Sequence, residues 1–276
     1  MHLHLSMRLH TDEGRWSMIE FKAVSFCYDM SGDKGEKTLD NVSFAINDGS
    51  FFGITGNMGS GKTTLCKLIC GLLKPTSGQI RREGSIAFAM QFPESQLFES
   101  TVLKDVLFGP LNRGLGKEQA LEVAKRSLDL VGIDQDLYER SPLSLSGGEK
   151  RRVALAGVLA MEADVLVLDE PAAGLDGVWH DELFRILHNL NDSGKTVVVV
   201  SHDMDDIAEN CSDLLVLEEG CIKDNGKAGD VLSRQTGLET SAMEFAERLK
   251  NCGFGIDPKK AVTTGSLADL VVKAPR

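Results

Sequence analysis

The residues Gly56 to Thr63 read GNMGSGKT, and Leu145 to Glu149 read LSGGE. The first run fits G-x-x-x-x-G-K-[ST], a spacing that builds a cradle for the phosphates of a nucleotide. Gly56, Gly59 and Gly61, with Asn57, Met58 and Ser60 between them, let the backbone turn tightly, so that successive N–H groups converge on a β-phosphate at a helix N-terminus. Lys62 would then bridge the β- and γ-phosphates as a point charge, and the Thr63 hydroxyl would ligate Mg²⁺. Thr64 completes the first helical turn.

A second set of residues supplies acids. Val165-Leu166-Val167-Leu168 runs into Asp169-Glu170, the pattern of a central parallel strand whose C-terminal end delivers carboxylates to the crevice where such sheets bind ligands. Asp169 would hold the Mg²⁺ shell. Glu170, one residue on, points elsewhere and can polarise an attacking water. Taken alone, Asp169-Glu170 also reads as a solvated acidic turn; beside the glycine loop it reads as half of a nucleoside triphosphate hydrolase. Ser146, Gly147 and Gly148 before the helical run Glu149 to Met161 make a second N-terminal anion site. One nucleotide cannot easily occupy both sites if each begins a separate helix.

Positioning these groups requires particular elements. Phe51 to Thr55 is a short apolar strand before the loop, and Leu65, Leu68, Ile69 and Leu72 follow it at i, i+3, i+4, i+7, predicting a helix. From Met18, IEFKAVSFCYD alternates like a strand and opens a small antiparallel subdomain, which the pattern rejoins near Gly78 to Met90. Pro93 to about Met161 is helical in pattern, an inserted lobe bearing the serine and two glycines, and Asp164 to Val216 restores the parallel core. After Gly226, Ala242 to Leu249 and Ser266 to Val272 read as short amphipathic helices. The fold class expected is α/β: a P-loop NTPase core with an antiparallel β-subdomain, an inserted helical subdomain and a small C-terminal extension. The boundaries expected are a disordered leader over 1–17, an ATPase domain over 18–230 with its helical lobe at about 93–161, and a helical extension over 231–276.

These motifs, in this order, resemble the ATPase subunits of ATP-binding cassette transporters, over roughly Met18 to Asp230. The resemblance implies that Tyr28 stacks on adenine, that Gln91 touches Mg²⁺ and the water, that Asp176 in GLD crosses a dimer interface, and that His202 in VVVVSHD contacts the γ-phosphate. It further implies that two chains lie head to tail, each completing the other's site through Ser146, Gly147 and Gly148. Read singly, Tyr28 could instead pack on a sheet edge and His202 could close a capped strand end.

A finer match runs from Phe88 to Phe98, FAMQFPESQLF, into TVLKDVLFGPLN and on through Ser141 to Asp176. It resembles the energy-coupling factor branch, whose ATPases drive uptake of vitamins or of nickel or cobalt ions. The resemblance implies ATP and Mg²⁺ as cofactors, and as partners a second ATPase chain, identical or paralogous, a transmembrane coupling protein and a substrate-binding membrane subunit. It places the chain peripherally on the cytoplasmic face of the cell membrane. Gln91 to Phe98, with Pro93 fixing the turn and Phe92, Glu94, Gln96 and Phe98 too apolar a mixture for an idle surface loop, reads as the contact with the membrane partner, Glu94 accepting from a partner arginine; an internally packed loop is the alternative reading. Two positions depart from the pattern: Glu149 stands where glutamine is commoner, and Gly177 where proline is usual.

Composition sets the remaining bounds. A chain of 276 residues suffices for one large α/β domain plus an appendage. No run approaches the ~18 apolar residues a spanning helix needs. The first seventeen residues lack the apolar region of a signal peptide; three of them, His2, His4 and His10, could alternatively suggest metal capture. A net charge of −11 argues against a general nucleic-acid binder. The six cysteines form no C-x-x-C pair, fitting a reducing compartment, and Cys66 and Cys70 read as small apolar fillers on one helix face. A chromosome-maintenance or DNA-repair ATPase also joins a phosphate loop to LSGG, but it carries a long heptad insert, and no sustained heptads occur here. A non-hydrolysing regulatory subunit is disfavoured by the presence of Lys62, Asp169, Glu170 and His202 together.

Overall fold

Alternating apolar residues in Ser17–Phe26 bury Ile19, Phe21 and Val24 and leave Lys22 exposed, as a strand with one wet face requires. This is β1 of the computed structural model, which describes residues 17–28 and 37–274. The expected leader therefore lies outside the described residues except for Ser17, which opens β1. The further strands are β2 (Leu39–Asn47), β3 (Phe51–Gly56), β4 (Ser77–Arg82), β5 (Ile86–Ala89), β6 (Val165–Asp169), β7 (Thr196–Val200), β8 (Asp213–Glu218) and β9 (Cys221–Lys227). The helices are α1 (Lys62–Ile69), α2 (Val102–Asn112), α3 (Lys117–Leu130), α4 (Gly147–Leu159), α5 (Gly177–Asp192), α6 (Met204–Asn210), α7 (Ala228–Arg234), α8 (Ser241–Asn251) and α9 (Thr264–Lys273). The described residues divide into two compact units, one of residues 17–28, 37–83 and 198–274 and one of residues 84–197.

In the first unit β1 pairs antiparallel with β2 on one side and β4 on the other. Phe44 stacks on Phe21 at 4.7 Å and on Phe52 at 6.0 Å, which seats this sheet against β3. β3 runs parallel to β8 with Gly56 opposite Leu217, and β9 closes the far edge antiparallel. All of Phe51 to Thr55 is buried, so β3 reads as a continuous apolar run rather than an alternating one. α1 buries Leu65, Leu68 and Ile69, each contributing roughly 1.5–3 kcal/mol. It stops one turn earlier than its periodicity suggests, because Gly71 adopts φ 74°, and Leu72 is left exposed. The Arg82 guanidinium donates to Ile69 O at 2.8 Å and to Leu68 O, satisfying carbonyls that the helix end leaves open. Cys66 is buried as a filler, and burial pushes the Cys70 thiol up to about 12.

Beyond β9 the two expected C-terminal helices appear as α8 and α9. Ala246, Ile256 and Ala261 form a small core with Leu249, Leu267 and Leu270 packed against it. α6 holds this extension by its carboxylates: Asp205 accepts from Ser241 N at 2.8 Å and from Ser241 Oγ at 2.5 Å, and Glu209 from Thr264 N at 2.7 Å.

In the second unit β5 pairs parallel with β6, from Ile86 opposite Val165 to Ala89 opposite Leu168. This corrects the expectation that Gly78 to Met90 belongs as a whole to the antiparallel subdomain. Gly84, at φ 73°, breaks the run after β4, and Asp164 accepts from both N and Oγ of Ser85 at 2.8 Å, which registers the next strand on β6. The helical lobe packs α2, α3 and α4 together through Val106, Ala120, Ala124, Leu128, Val153 and Ala156. The Tyr138 hydroxyl donates to Asp129 at 2.6 Å beneath it.

One ion pair in the first unit gives a measurable pH signature. Asp224 of β9 accepts from Arg234 of α7 at 2.7 and 2.6 Å, and these bonds hold its carboxyl at about 2 against an ordinary 3.8. The native pKa is depressed, so the stabilisation is complete above 3.8 and is lost as pH falls towards about 2. Acid titration followed by circular dichroism is expected to show Asp224→Asn already less stable at neutral pH, with the gap to the wild type narrowing below pH 3.8.

Candidate functional site

The phosphate loop of the first unit is shaped by exclusion. A Cβ on Gly56, at φ 147°, would lie 2.0 Å from Leu217 O, and one on Gly61, at φ 101°, would lie 2.8 Å from Leu39 and 2.9 Å from Thr38 O. Only glycine lets the loop lie this close to β8 and the start of β2. Gly59, at φ 79°, meets nothing, so the loop's outer rim faces open space, with Met58 fully exposed beside it.

The polar groups of this loop suit an anionic ligand. Ser60 Oγ is buried and has no hydrogen-bond partner, a costly arrangement in the absence of a ligand. The Lys62 ammonium folds back on the loop and donates to Gly56 O at 2.6 Å and Asn57 O at 3.0 Å. Both are weaker acceptors than a phosphate oxygen. Thr63 is exposed in the first turn of α1, and Thr64 is buried behind it. The Tyr28 hydroxyl lies 3.1 Å from Thr64 Oγ1, and its ring, 59% exposed, stands edge-on to Phe26 at 4.9 Å. The structure therefore brings Tyr28 to the phosphate-loop helix, with a free ring face. His202 is exposed just after β7, and Asp203 behind it caps α6 by accepting from Asp205 N and Asp206 N.

In the second unit Asp169 ends β6 buried, and Glu170 follows half-buried. Glu170 has φ 53°, a left-handed backbone that costs a non-glycine residue about 1–2 kcal/mol. Arg151 of α4 offsets this: its Nη2 donates to Glu170 O at 3.0 Å and its Nη1 donates to Ala173 O. Charge-assisted bonds of this kind contribute about 1.5–3 kcal/mol. Neither the backbone of Glu170 nor the role of Arg151 was foreseen; a mid-helix arginine carries no signal that sets it apart from a solvated one. Gln91 is exposed between β5 and a 3-10 turn at Pro93–Gln96. Asp176 is exposed and caps α5, its Oδ1 accepting from Trp179 N at 2.9 Å. The usual proline position, Gly177, is the first residue of that helix.

The serine-glycine motif begins α4 as expected, two residues earlier than the predicted run. Ser146 is its N-cap, and Glu149 closes a capping box. The Glu149 carboxylate accepts from Ser146 N at 2.8 Å and from Ser146 Oγ at 2.6 Å, and those bonds hold its carboxyl below the ordinary range. The departure from glutamine thus has a structural use. The helix start already holds an anion of its own.

ATP and Mg²⁺ fit these residues. The loop offers an ammonium and a buried hydroxyl without a partner to phosphates, and Thr63 in the first unit and Asp169 in the second are each the kind of hard oxygen donor that suits Mg²⁺. Among the described residues no cluster of three His, Cys, Asp or Glu could cage a metal ion by itself. The excluded volume at Gly56 gives a direct test: Gly56→Ala is expected to cost at least about 2 kcal/mol in chemical denaturation, Gly59→Ala only about 1 kcal/mol. Equal costs would mean the loop is not pressed on β8.

Residues 39–173 match the ABC transporter family. The chain is 38% identical over 277 residues to the energy-coupling factor transporter ATP-binding protein EcfA2 of Lactococcus lactis, covering 92% of this chain and 96% of that one. It is 41% identical over 282 residues to the protein of the same name from Enterococcus faecalis, with the same coverage. Among solved structures, CbiO1 from Clostridium perfringens, described as part of the ABC transporter complex CbiONQ, superposes with a TM-score of 0.71 at 30% identity, over 86% of this chain and 97% of that one. A dimeric ATP-binding cassette in a post-hydrolysis state bound to ADP and Pi superposes at 0.70 with 29% identity, over 76% of this chain and 99% of that one. The chain belongs to the ABC transporter family and, within it, to the energy-coupling factor transporter ATP-binding proteins, ATPase subunits of such transporters.

Proposed function

We propose that this ATPase uses Lys62, the 56–61 loop and Thr63 to hold the triphosphate of Mg·ATP, and Glu170 to take a proton from the attacking water. The observation that carries this reading is the unpartnered, buried Ser60 hydroxyl beneath a loop whose lysine finds only backbone carbonyls. On binding, Lys62 exchanges Gly56 O and Asn57 O for phosphate oxygens, and the Ser60 hydroxyl gains an acceptor. Tyr28 stacks on adenine with its ring while Thr64 anchors its hydroxyl. Thr63, Asp169 and Gln91 would hold Mg²⁺, which would neutralise charge on the phosphates. His202 orients the γ-phosphate, and Glu170 accepts the proton released as water attacks in line.

Ser146, Gly147, Gly148 and Asp176 serve the partner's nucleotide across a dimer of ATPase chains, identical or paralogous. The assembly includes a transmembrane coupling protein and a substrate-binding membrane subunit, and it imports a vitamin or a transition-metal ion such as nickel or cobalt. The chain lies peripherally on the cytoplasmic face; among the described residues no helix is long and apolar enough to cross a membrane. Its contact with the membrane partner is the 91–98 segment. Phe92 and Phe98 are each 63% exposed there, Phe98 meets Phe108 edge-on at 4.8 Å, and Glu94 Oε2 is buried without a hydrogen bond. A partner arginine would satisfy that oxygen.

Two experiments test this reading. Glu170→Gln is expected to keep ATP affinity and to lower turnover by roughly 10² to 10⁴ fold. Lys62→Ala is expected to weaken ATP binding itself, and equal affinity in the two variants would defeat the assignment. Glu94→Arg is expected to abolish copurification with the membrane protein while the isolated chain keeps its melting temperature and ATP affinity; unchanged assembly and uptake would remove the 91–98 segment from the contact.

A further inference from the structure

We propose that Arg151 is the positioning residue for Glu170: it ties the helix that begins with Ser146 to the backbone of the catalytic carboxylate in the same chain, so that the seat of Glu170 follows the helix start. The proposal rests on the assignment of Glu170 as general base and of Ser146 to the partner's nucleotide.

The guanidinium spans both ends of one turn. Nη2 donates to Glu170 O at 3.0 Å and Nη1 to Ala173 O, while Ala173 N closes the turn on Glu170 O at 3.3 Å. Two donors set in one plane and aimed at two carbonyls fix the turn in position and in rotation, which a lysine ammonium cannot do. The turn needs such a hold, because Glu170 sits at φ 53°, a conformation that persists only where the surroundings impose it. With Leu155, Leu168, Pro171, Leu175 and Trp179 the Arg151 side chain lines a small, mostly apolar hollow.

Arg151 lies five residues after Ser146 on a continuous helix, about 7.5 Å along its axis. A shift of the helix start therefore reaches Glu170 O through one side chain. In the proposed dimer, Ser146 reads the nucleotide of the opposite chain and Glu170 acts on its own, so Arg151 joins the two sites within one polypeptide. The neighbouring Arg152 is turned to other partners: it donates to Gly132 O at 2.9 Å and lies 5.5 Å from the Trp179 ring. It provides a control for the loss of a helix arginine.

The test uses the full chain assembled with its ATPase and membrane partners. Steady-state turnover, ATP affinity and melting temperature are measured for wild type, Arg151→Met, Arg151→Lys, Arg152→Met, Glu170→Gln and the double variant Arg151→Met/Glu170→Gln. The expected result for Arg151→Met is turnover lowered roughly 10- to 10²-fold with ATP affinity unchanged, the scale of a misplaced catalytic group. Arg151→Lys recovers only part of that loss, Arg152→Met shows neither effect, and the double variant is no slower than Glu170→Gln alone, because Arg151 acts through Glu170. Wild-type turnover in Arg151→Met, or losses that multiply in the double variant, overturns the proposal. If Arg151→Met fails to fold, Arg151→Lys decides: lowered turnover at an unchanged melting temperature supports positioning, and wild-type turnover overturns it. Normal turnover in Glu170→Gln would sink the underlying assignment of the base; slow Glu170→Gln beside fast Arg151→Met sinks this inference alone.

Discussion

The pressure of the phosphate loop on β8 is the constraint from which the nucleotide half of the site follows. Gly56 stands opposite Leu217 with no room for a Cβ, and Gly61 is equally confined against Thr38 and Leu39. Held at both ends, the loop buries the Ser60 hydroxyl without a hydrogen-bond partner. The apolar strands exist to supply that anchorage: β3 is buried throughout, and Phe52, Phe44 and Phe21 stack from it into the antiparallel sheet that carries Tyr28. A rigid, dry wall on one side and an open rim at Gly59 on the other make a surface built for phosphates.

A different logic governs the acid end. Asp169 is delivered by a buried strand, as its sequence implies, but Glu170 is held by its backbone in a left-handed conformation that its own sequence does not favour. The hold comes from α4, the same helix whose N-cap is Ser146. Stored strain at the residue proposed as general base and an arginine offsetting it are thus parts of one device. At the start of α4 the Glu149 carboxylate occupies the Ser146 hydroxyl and N–H, so in the proposed dimer a partner's phosphate would compete with an anion already in place.

Local patterns with a fixed period or a fixed spacing were legible before the fold was known. The glycines of the loop, the buried strand ending at Asp169, the helix after Ser146 and the two C-terminal helices each depend on residues close in sequence. The length of α1 was overestimated because Leu72 continues the apolar period while Gly71 ends the helix. Ile86 to Ala89 was placed in the wrong sheet because four apolar residues do not say which strand they pair with; the bonds of Ser85 to Asp164, 79 residues away, decide it. The capping box at Ser146 is written in the sequence as S-x-x-E, with Gly147 and Gly148 between its two members. Arg151 was illegible, since its partners lie 19 and 22 residues on and are backbone atoms that carry no residue identity.

The central claim is that the phosphate loop of one chain and the Ser146 helix of another close on the same ATP. Sedimentation of a Glu170→Gln chain, alone and with its partner ATPase, measures this directly when Ser146→Arg is added. A bulky cation at the helix start disturbs the anion site and adds volume where two chains meet. ATP is expected to drive dimer formation in Glu170→Gln and to fail to do so in the double variant, with equal ATP affinity in both. Dimers that form equally well with Ser146→Arg would contradict the account.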